Sequence, residues 1–460
     1  MAEPVHTAPT KPVGTGVFDQ HHPPAAELLD KCVHCGFCLP TCPTYSLWHE
    51  EMDSPRGRIY LMQMGLAGQA TLDATFVRHF DHCLGCMACV SACPSGVQYG
   101  RLIEATRAQI ERRYPRSLSD RFFRAILFAL FPYPRRLRLL LPFLWIYQRL
   151  GIRALVRKLG LLHLLPERFR NMEALLPEVS LRSLSQKLPI RILPRGRLRL
   201  RVGLMLGCVQ RVFLDGTNAA TARVLAAEGC EVLIPQEQGC CGALMMHAGR
   251  EDQALAAARA LIDTFEHEQV DCIVINAAGC GSNVKEYGEL LRDDPKYAAR
   301  ARTFAAKCKD VSELLAELGP LAPRNPLPIR VAVQDSCHLQ HAQGIRTAPR
   351  QLLSAIPELE VVEVADAALC CGSAGIYNLV EPTPANELGD RKARQILDTG
   401  ADVIASGNPG CLLHLQASLR RLGRELPALH TIELIDASIR GVMPIPQPRK
   451  ESEAQATQAA

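Results

Sequence analysis

Two short cysteine runs carry the most specific chemistry in the chain. The first reads Cys32-Val33-His34-Cys35-Gly36-Phe37-Cys38-Leu39-Pro40-Thr41-Cys42-Pro43, and the second Cys83-Leu84-Gly85-Cys86-Met87-Ala88-Cys89-Val90-Ser91-Ala92-Cys93-Pro94. Both follow C-x2-C-x2-C-x3-C-P. In this spacing three thiolates wrap one [4Fe–4S] cubane, and the fourth, turned away at the proline, serves the other cluster. The expected ligand sets are therefore crossed: Cys32, Cys35, Cys38 and Cys93 for one cluster, and Cys83, Cys86, Cys89 and Cys42 for the other. Zinc, with four ligands commonly in two pairs, fits two complete runs poorly.

The remaining composition suits a redox protein of the cytoplasm. A length of 460 residues predicts two or three domains, and a 48% apolar content is ample for their cores. The opening Met1-Ala2-Glu3-Pro4-Val5-His6 has no charged segment leading into an apolar one, so no secretory leader is expected. The 19 cysteines then read as metal or redox groups rather than as bridges.

Elements must hold the two runs in place. Residues 1–24, rich in proline, are expected to form a flexible lead, with Glu27–Asp30 a short helix before Cys32. A spacer of 40 residues separates the runs. Within it Ser54 and Pro55 read as the cap and first residue of a helix, and Thr71–Phe80 as a second. A further helix covers 101–113. Residues 25–111 are thus expected to be a mainly helical ferredoxin-type domain with two clusters, in which Arg56 and Arg58 either balance cluster charge or lie on a solvated surface.

Residues 112–198 differ in composition. From Arg112 to Arg170 arginines and lysines far outnumber the two acids, Asp120 and Glu167, and are interleaved with aromatic residues. The longest apolar run, Leu139–Tyr147, is too short for a membrane span and contains Pro142. Such a basic, apolar segment suits docking on an anionic membrane surface or a partner; the alternative is a helical linker with solvated arginines. Nothing resembles a nucleic-acid module. Residues 171–197 read as linker.

The C-terminal half is one unit written twice. Cys208, Cys240-Cys241-Gly242 and Cys280 recur as Cys337, Cys370-Cys371-Gly372 and Cys411, offset by 129, 130 and 131 residues. In the first unit, strands are expected at Arg199–Leu206, Glu231–Pro235 and Cys272–Ala277, with helices at Asp215–Glu228 and Arg250–Glu268. In the second, strands are expected at Arg330–Gln334, Leu359–Val364 and Val403–Ser406. The fold class is thus α+β multi-domain, the C-terminal half forming two pseudo-equivalent parallel-sheet Cys-Cys-Gly lobes, 199–325 and 326–440. Binding groups gather at the carboxyl ends of parallel strands. All eight repeated cysteines fall there and should converge on one crevice, as a candidate second metal site. Cys230, Cys272 and Cys308 lie outside the repeat and read as buried, inert thiols. The tail 441–460 is expected to be disordered.

The ferredoxin runs followed by two Cys-Cys-Gly units resemble a family of respiratory iron–sulfur subunits. Asp53-Ser54-Pro55-Arg56-Gly57-Arg58-Ile59-Tyr60-Leu61-Met62, Cys240-Cys241-Gly242-Ala243-Leu244 and Asn276-Ala277-Ala278-Gly279-Cys280-Gly281-Ser282 are most similar to the glycolate oxidase iron–sulfur subunits. The resemblance implies a subunit of a membrane-associated complex on the cytoplasmic face of the inner membrane. FAD would reside in flavoprotein partners that oxidise glycolate to glyoxylate. This chain, without a complete active site of its own, would relay the electrons through two [4Fe–4S] clusters to an acceptor such as a quinone. Subunits of lactate or glycerol-3-phosphate dehydrogenases share the layout, and a thiol–disulfide reductase subunit or a zinc-bearing scaffold are further readings of the Cys-Cys-Gly half. One departure stands out. Relatives with noncubane clusters end each unit in Cys-x-x-Cys, whereas here the units end in Cys280-Gly281-Ser282-Asn283 and Cys411-Leu412-Leu413-His414. A further cluster, zinc or a quinone-facing thiol pair all remain open for this half, and His414 reads as a helix-surface residue rather than a substitute ligand.

Overall fold

The computed structural model describes residues 16–179, 181 and 188–445. Around the cysteine runs, helices begin where the sequence supplies their caps. Ser54 accepts a hydrogen bond from the Gly57 amide, and Pro55 opens the helix Pro55–Leu66. Asp73 accepts from the Thr75 and Phe76 amides at the start of Ala74–Asp81. With Tyr99–Arg113 these helices bury Met62, Phe80, Leu102 and Ile103 in one core. Val17 and Phe18 are buried in that core. The lead expected to be flexible over 1–24 is therefore packed from Val17 onward, because two apolar side chains anchor it; residues 1–15 lie outside the described residues.

The basic segment folds into the helices Leu118–Leu130, Pro134–Arg149, Ile152–Lys158 and Glu167–Ala174. Many of its arginines are internally paired rather than solvated. Arg124 and Arg168 hold Asp120 at 2.9 and 2.6 Å, and Arg153 and Arg157 hold Glu173 at 2.8 and 2.9 Å. Helix Pro134–Arg149 is apolar on two faces. Leu137 and Leu141 are buried, while Leu139 (72% exposed), Phe143 (71%) and Ile146 form a second stripe facing outward. The stripe continues through Ile152, Leu155 and Leu159 to Leu164. Among the described residues no single helix is long and apolar enough to cross a membrane.

The two lobes repeat one topology. In the first, β2 (Leu200–Met205), β3 (Cys230–Leu233), β4 (Cys272–Ile275) and β5 (Cys308–Asp310) pair in parallel in the order β3-β2-β4-β5. In the second, β6 (Arg330–Val333), β7 (Glu360–Glu363), β8 (Val403–Ser406) and β9 (Ala428–His430) repeat it as β7-β6-β8-β9. The fourth strands, β5 and β9, have no counterpart in the expected set; both are three residues long and too short to show a period. Each ends on a residue that opens a helix with a capping box, Asp310 with Glu313 and His430 with Glu433. The linker expected over 171–197 also contributes structure: β1 (Arg191–Ile192) pairs antiparallel with β3. Residues 180 and 182–187 of it lie outside the described residues.

The lobes are not separate bodies. Val202, Val232 and Val274 of the first sheet share a core with Val331, Val403 and Ile432 of the second. Arg223 grips Asp436 across them in a two-pronged pair of 2.9 and 2.7 Å. Ile445 closes that core, so the expected disordered tail starts later than 441; residues 446–460 lie outside the described residues. The ferredoxin-type helices join the first lobe through Gly249, whose φ is +79° and whose missing side chain lets it abut the Arg107 carbonyl. A methyl there would meet backbone in a left-handed conformation. Gly249→Ala is expected to cost about 2–3 kcal/mol, read as a lower urea midpoint.

Candidate functional site

The first cysteine set lies at the surface. Cys35 is exposed, and Cys32, Cys38 and Cys93 are half-buried. Cys32, Cys35, Cys38 and Cys93 line one small cavity together with Cys89. Arg56 braces the loop: its guanidinium binds Glu51 at 2.6 and 3.1 Å and donates to the His34 carbonyl at 3.0 Å. Gly36, with φ +87°, leaves the space that this guanidinium fills.

Cys42, Cys83, Cys86 and Cys89 are all buried. Cys42 lies near Cys86 and Cys89 of the second run as well as near Cys38 of its own, so the members of each crossed set stand close to one another. Arg58, fully buried, donates to Asp53 at 3.2 Å, to Thr44 Oγ1 at 3.2 Å and to the His79 carbonyl at 2.5 Å. Burial pushes the Cys83 thiol up, but Arg58 and Arg107 outweigh it and hold the thiol below its ordinary value. Cys86 and Cys89, without such close cations, are pushed well up by burial. The Cys83 sulfur accepts from Tyr99 Oη at 3.6 Å and from the Gly85 amide at 3.4 Å; hydrogen bonds of this kind tune a cluster's potential.

The repeated cysteines resolve into two tetrads. In the first lobe Cys240 lies 3.5 Å from Cys208, and Cys241 is hydrogen-bonded to both Cys240 and Cys280. In the second, Cys370 bonds Cys337 and Cys371, and Cys371 bonds Cys411. Gly242 and Gly372 have φ of +85° and +91°, the left-handed turn that lets two successive thiols face one point. All but Cys371 of the eight line a single cavity of about 690 Å³ between the lobes and the linker helices. The second tetrad touches the ferredoxin half directly: Cys86 packs with Cys370 and Cys337 in one apolar cluster that includes Leu84 and Tyr377.

The two positions that lack an expected cysteine are both occupied structurally. Asn283 donates to the Cys241 carbonyl at 2.8 Å. His414 is not a surface residue, as its helix suggested, but completely buried. Its Nε2 donates to the Ala385 carbonyl at 2.9 Å, and its Nδ1 accepts from Asn378 at 3.4 Å. Burial drives its pKa down to about 4, and both ring nitrogens are taken, so it is no ligand. Each lobe is built around four thiols.

The donor sets fit thiolate-bound metal. Four free cysteines converge in each, no disulfide forms among the described residues, and each set has a cation at hand, half-buried Arg56 at the surface set and buried cations at the others. Beside Cys208, Cys240 and Cys280 stands Arg211, which donates only to carbonyls, Gly207 at 2.5 Å and Gln238 at 2.8 Å. Burial pulls its pKa down to about 10. Beside Cys371 and Cys370 stands Lys392, 1% exposed, donating to the Ala365 and Asp366 carbonyls at 3.2 and 2.6 Å. Among the described residues neither cation has a carboxylate within ion-pair distance, which is costly unless an anionic group lies next to it. Four thiolates around a metal core are such a group. Sequence reasoning missed both cations: Lys392 lies 21 residues beyond Cys371, and nothing around Arg211, three residues after Cys208, marks it as buried. By contrast Cys230, Cys272 and Cys308 lie within the lobe cores, where burial raises all three thiols.

Arg58→Leu is expected to leave Asp53 uncompensated, at a cost of about 3–5 kcal/mol. It should also strip metal preferentially from the buried N-terminal set, measured as iron per chain against wild type.

The chain matches three family models: "4Fe-4S dicluster domain" over residues 28–97, "Glycolate oxidase iron-sulfur subunit, linker region" over 119–176, and "Cysteine-rich domain" over 202–285 and again over 331–416. It is 42% identical to the probable glycolate oxidase iron-sulfur subunit of Bacillus subtilis over 418 residues, 89% of this chain and 93% of that protein. It is 36% identical to the glycolate oxidase iron-sulfur subunit of Escherichia coli, over 90% of this chain and 95% of that one. Lactate utilization protein A 2 of Bacillus mycoides is 31% identical but matches 52% of this chain.

Proposed function

This chain belongs to the family of glycolate oxidase iron–sulfur subunits, and on that premise we propose that it conducts electrons, one at a time, from a flavoprotein partner that oxidises glycolate to glyoxylate. The observation that carries this reading is the continuity of thiol sets. The exposed set around Cys35 abuts the buried set around Cys83, which packs against the tetrad around Cys370, and that tetrad shares a cavity with the one around Cys240. Cys32, Cys35, Cys38 and Cys93 would hold one [4Fe–4S] cluster, and Cys42, Cys83, Cys86 and Cys89 the other. Each lobe tetrad would hold a further metal centre. When bound, such clusters supply one-electron redox chemistry at potentials set by charge, hydrogen bonds to sulfur and exposure.

The protein's own groups do the rest. Arg56, Arg58, Arg211 and Lys392 compensate the thiolates. Tyr99 and the Gly85 amide polarise the Cys83 sulfur. Exposed Cys35, flanked by exposed Val33 and Phe37, is where a partner's cofactor would come close. The outward stripe Leu139–Leu164, with Arg135, Arg149 and Lys158 exposed around it, suits the interface of an anionic membrane on the cytoplasmic side. The lactate-type reading is less favoured, since the lactate utilization relative matches about half of the chain.

Anaerobically purified chain is expected to show two reducible [4Fe–4S] signals from the N-terminal half by electron paramagnetic resonance. Cys42→Ser should alter the signal of the Cys83 set and Cys93→Ser that of the Cys32 set; the opposite pattern would reject the crossed assignment. Cys240→Ser and Cys370→Ser should each remove metal from one lobe and spare both N-terminal signals. Failure of glycolate, with the flavoprotein partners present, to reduce the chain would overturn the substrate.

A further inference from the structure

The cavity of about 690 Å³ is larger than its thiols can use. Metal centres sit within bonding distance of their sulfurs, about 2.3 Å for zinc, so they fill only the end lined by Cys208, Cys240, Cys280, Cys337, Cys370 and Cys411. The opposite wall is aliphatic and aromatic: Phe131, Leu140, Leu144, Leu162, Leu165 and Met172. These residues belong to the same linker segment whose outer surface carries the exposed stripe, and Leu165 is itself exposed. The cavity therefore runs from the redox thiols to the apolar face of the molecule.

Two polar atoms of its lining are buried without a hydrogen-bond partner among the described residues, Gln210 Oε1 and His247 Nε2, and of these only the imidazole nitrogen can donate to a carbonyl. His247 lines the cavity, and its Nε2 is buried with no hydrogen-bond partner among the described residues, while its Nδ1 lies 3.5 Å from Glu104. Its ring stands edge-on to His338 at 4.9 Å between centroids. His338 is not available: its Nε2 donates to the Gly85 carbonyl at 2.9 Å and its Nδ1 accepts from Ser282 at 3.0 Å. An apolar cavity in the usual size range for small-molecule sites, with one buried unfilled donor beside redox thiols, matches a particular ligand chemistry.

We propose that this cavity is the binding site for a membrane quinone, with the ring at the thiol end, one carbonyl hydrogen-bonded to His247 Nε2, and the isoprenoid tail running past Leu144 and Leu165 to the exposed stripe. The inference rests on the electron-conducting reading and adds the site of exit. The balance is complete. The quinone gains two electrons, delivered one at a time by this chain and originating in the hydroxy acid oxidised by the partner. Its two carbonyl oxygens gain two protons from water, one of them by way of His247, and the product is the quinol.

The test uses the full chain with its metal, purified anaerobically, and three probes: decylubiquinone, its photoreactive azido derivative, and n-decanol as a tail without a ring. Decylubiquinone is expected to bind saturably and the azido derivative to label peptides from Phe131–Leu144 or Phe169–Leu176. Leu144→Trp, which fills the tail path, should weaken binding at least about tenfold, with the paramagnetic signals of the clusters unchanged. His247→Ala should weaken decylubiquinone and leave n-decanol unaffected; His247→Gln should restore part of the loss. Leu321→Trp, at an exposed position outside the cavity wall, should bind as wild type. Equal affinity for n-decanol and decylubiquinone would make the cavity a lipid slot and overturn the proposal, as would binding indifferent to Leu144→Trp. Reduction of the chain by glycolate through the flavoprotein partners, measured separately as bleaching of its visible absorbance, distinguishes the two failures. Bleaching without quinone binding sinks only this inference, and no bleaching sinks the underlying reading.

Discussion

The structure depends on keeping negative thiolate sets inside a protein, where an uncompensated charge is expensive. A cation lies near each set, and two of them, Arg211 and Lys392, bind only carbonyls while standing beside cysteines. Arg58 is shared between Asp53 and the surroundings of Cys42 and Cys83. The cations differ in their partners, and that difference has consequences. Arg58 sits in a network that is neutral without metal, whereas Arg211 and Lys392 are left for whatever the tetrads bind. Because ligand cysteines must lose their protons, and burial raises most of these thiols, any metal the lobes took up would release protons on binding.

The duplicated lobe supplies the geometry for this. Identical strand orders, β3-β2-β4-β5 and β7-β6-β8-β9, put each Cys-Cys-Gly at the carboxyl end of a parallel sheet. The shared core, from Val202 to Ile432, turns the two ends toward one cavity. The linker helices then roof it, with one apolar stripe turned inward and another outward. Packing and function thus use the same residues: Leu137 and Leu141 hold the roof down, while Leu140 and Leu144 line what lies beneath.

Exposure falls along the thiol sets, from Cys35 at the surface to Cys83, Cys86 and Cys89 in the interior. An exposed cluster is approachable by a partner, and a buried one is shielded from solvent. His338 links the two halves, joining the Gly85 carbonyl of the second run to Ser282 of the first lobe. Its pKa, driven down to about 3 by burial and by His247, keeps it neutral through the physiological range, so this joint does not change charge with pH.

The sequence by itself determined the local chemistry. Periodic cysteine spacing, the Ser54–Pro55 cap, the strand–helix alternation and the register of the repeat were legible because each depends on residues close together in the chain. So was the resemblance that implied the family. It could not reveal that Asn283 and His414 are spent on backbone carbonyls, since a side chain's hydrogen-bond partner comes from elsewhere in the fold. Nor could it show that Arg211 and Lys392 stand beside the tetrads, that Val17 and Phe18 are core, or that β5 and β9 exist as three-residue strands whose pairing alone defines them. Only the tertiary structure decided that eight converging cysteines are two groups of four with an apolar cavity between them and the linker. Contacts over more than a hundred residues carry no local pattern, and burial, not sequence, sets what a charge or an imidazole can do.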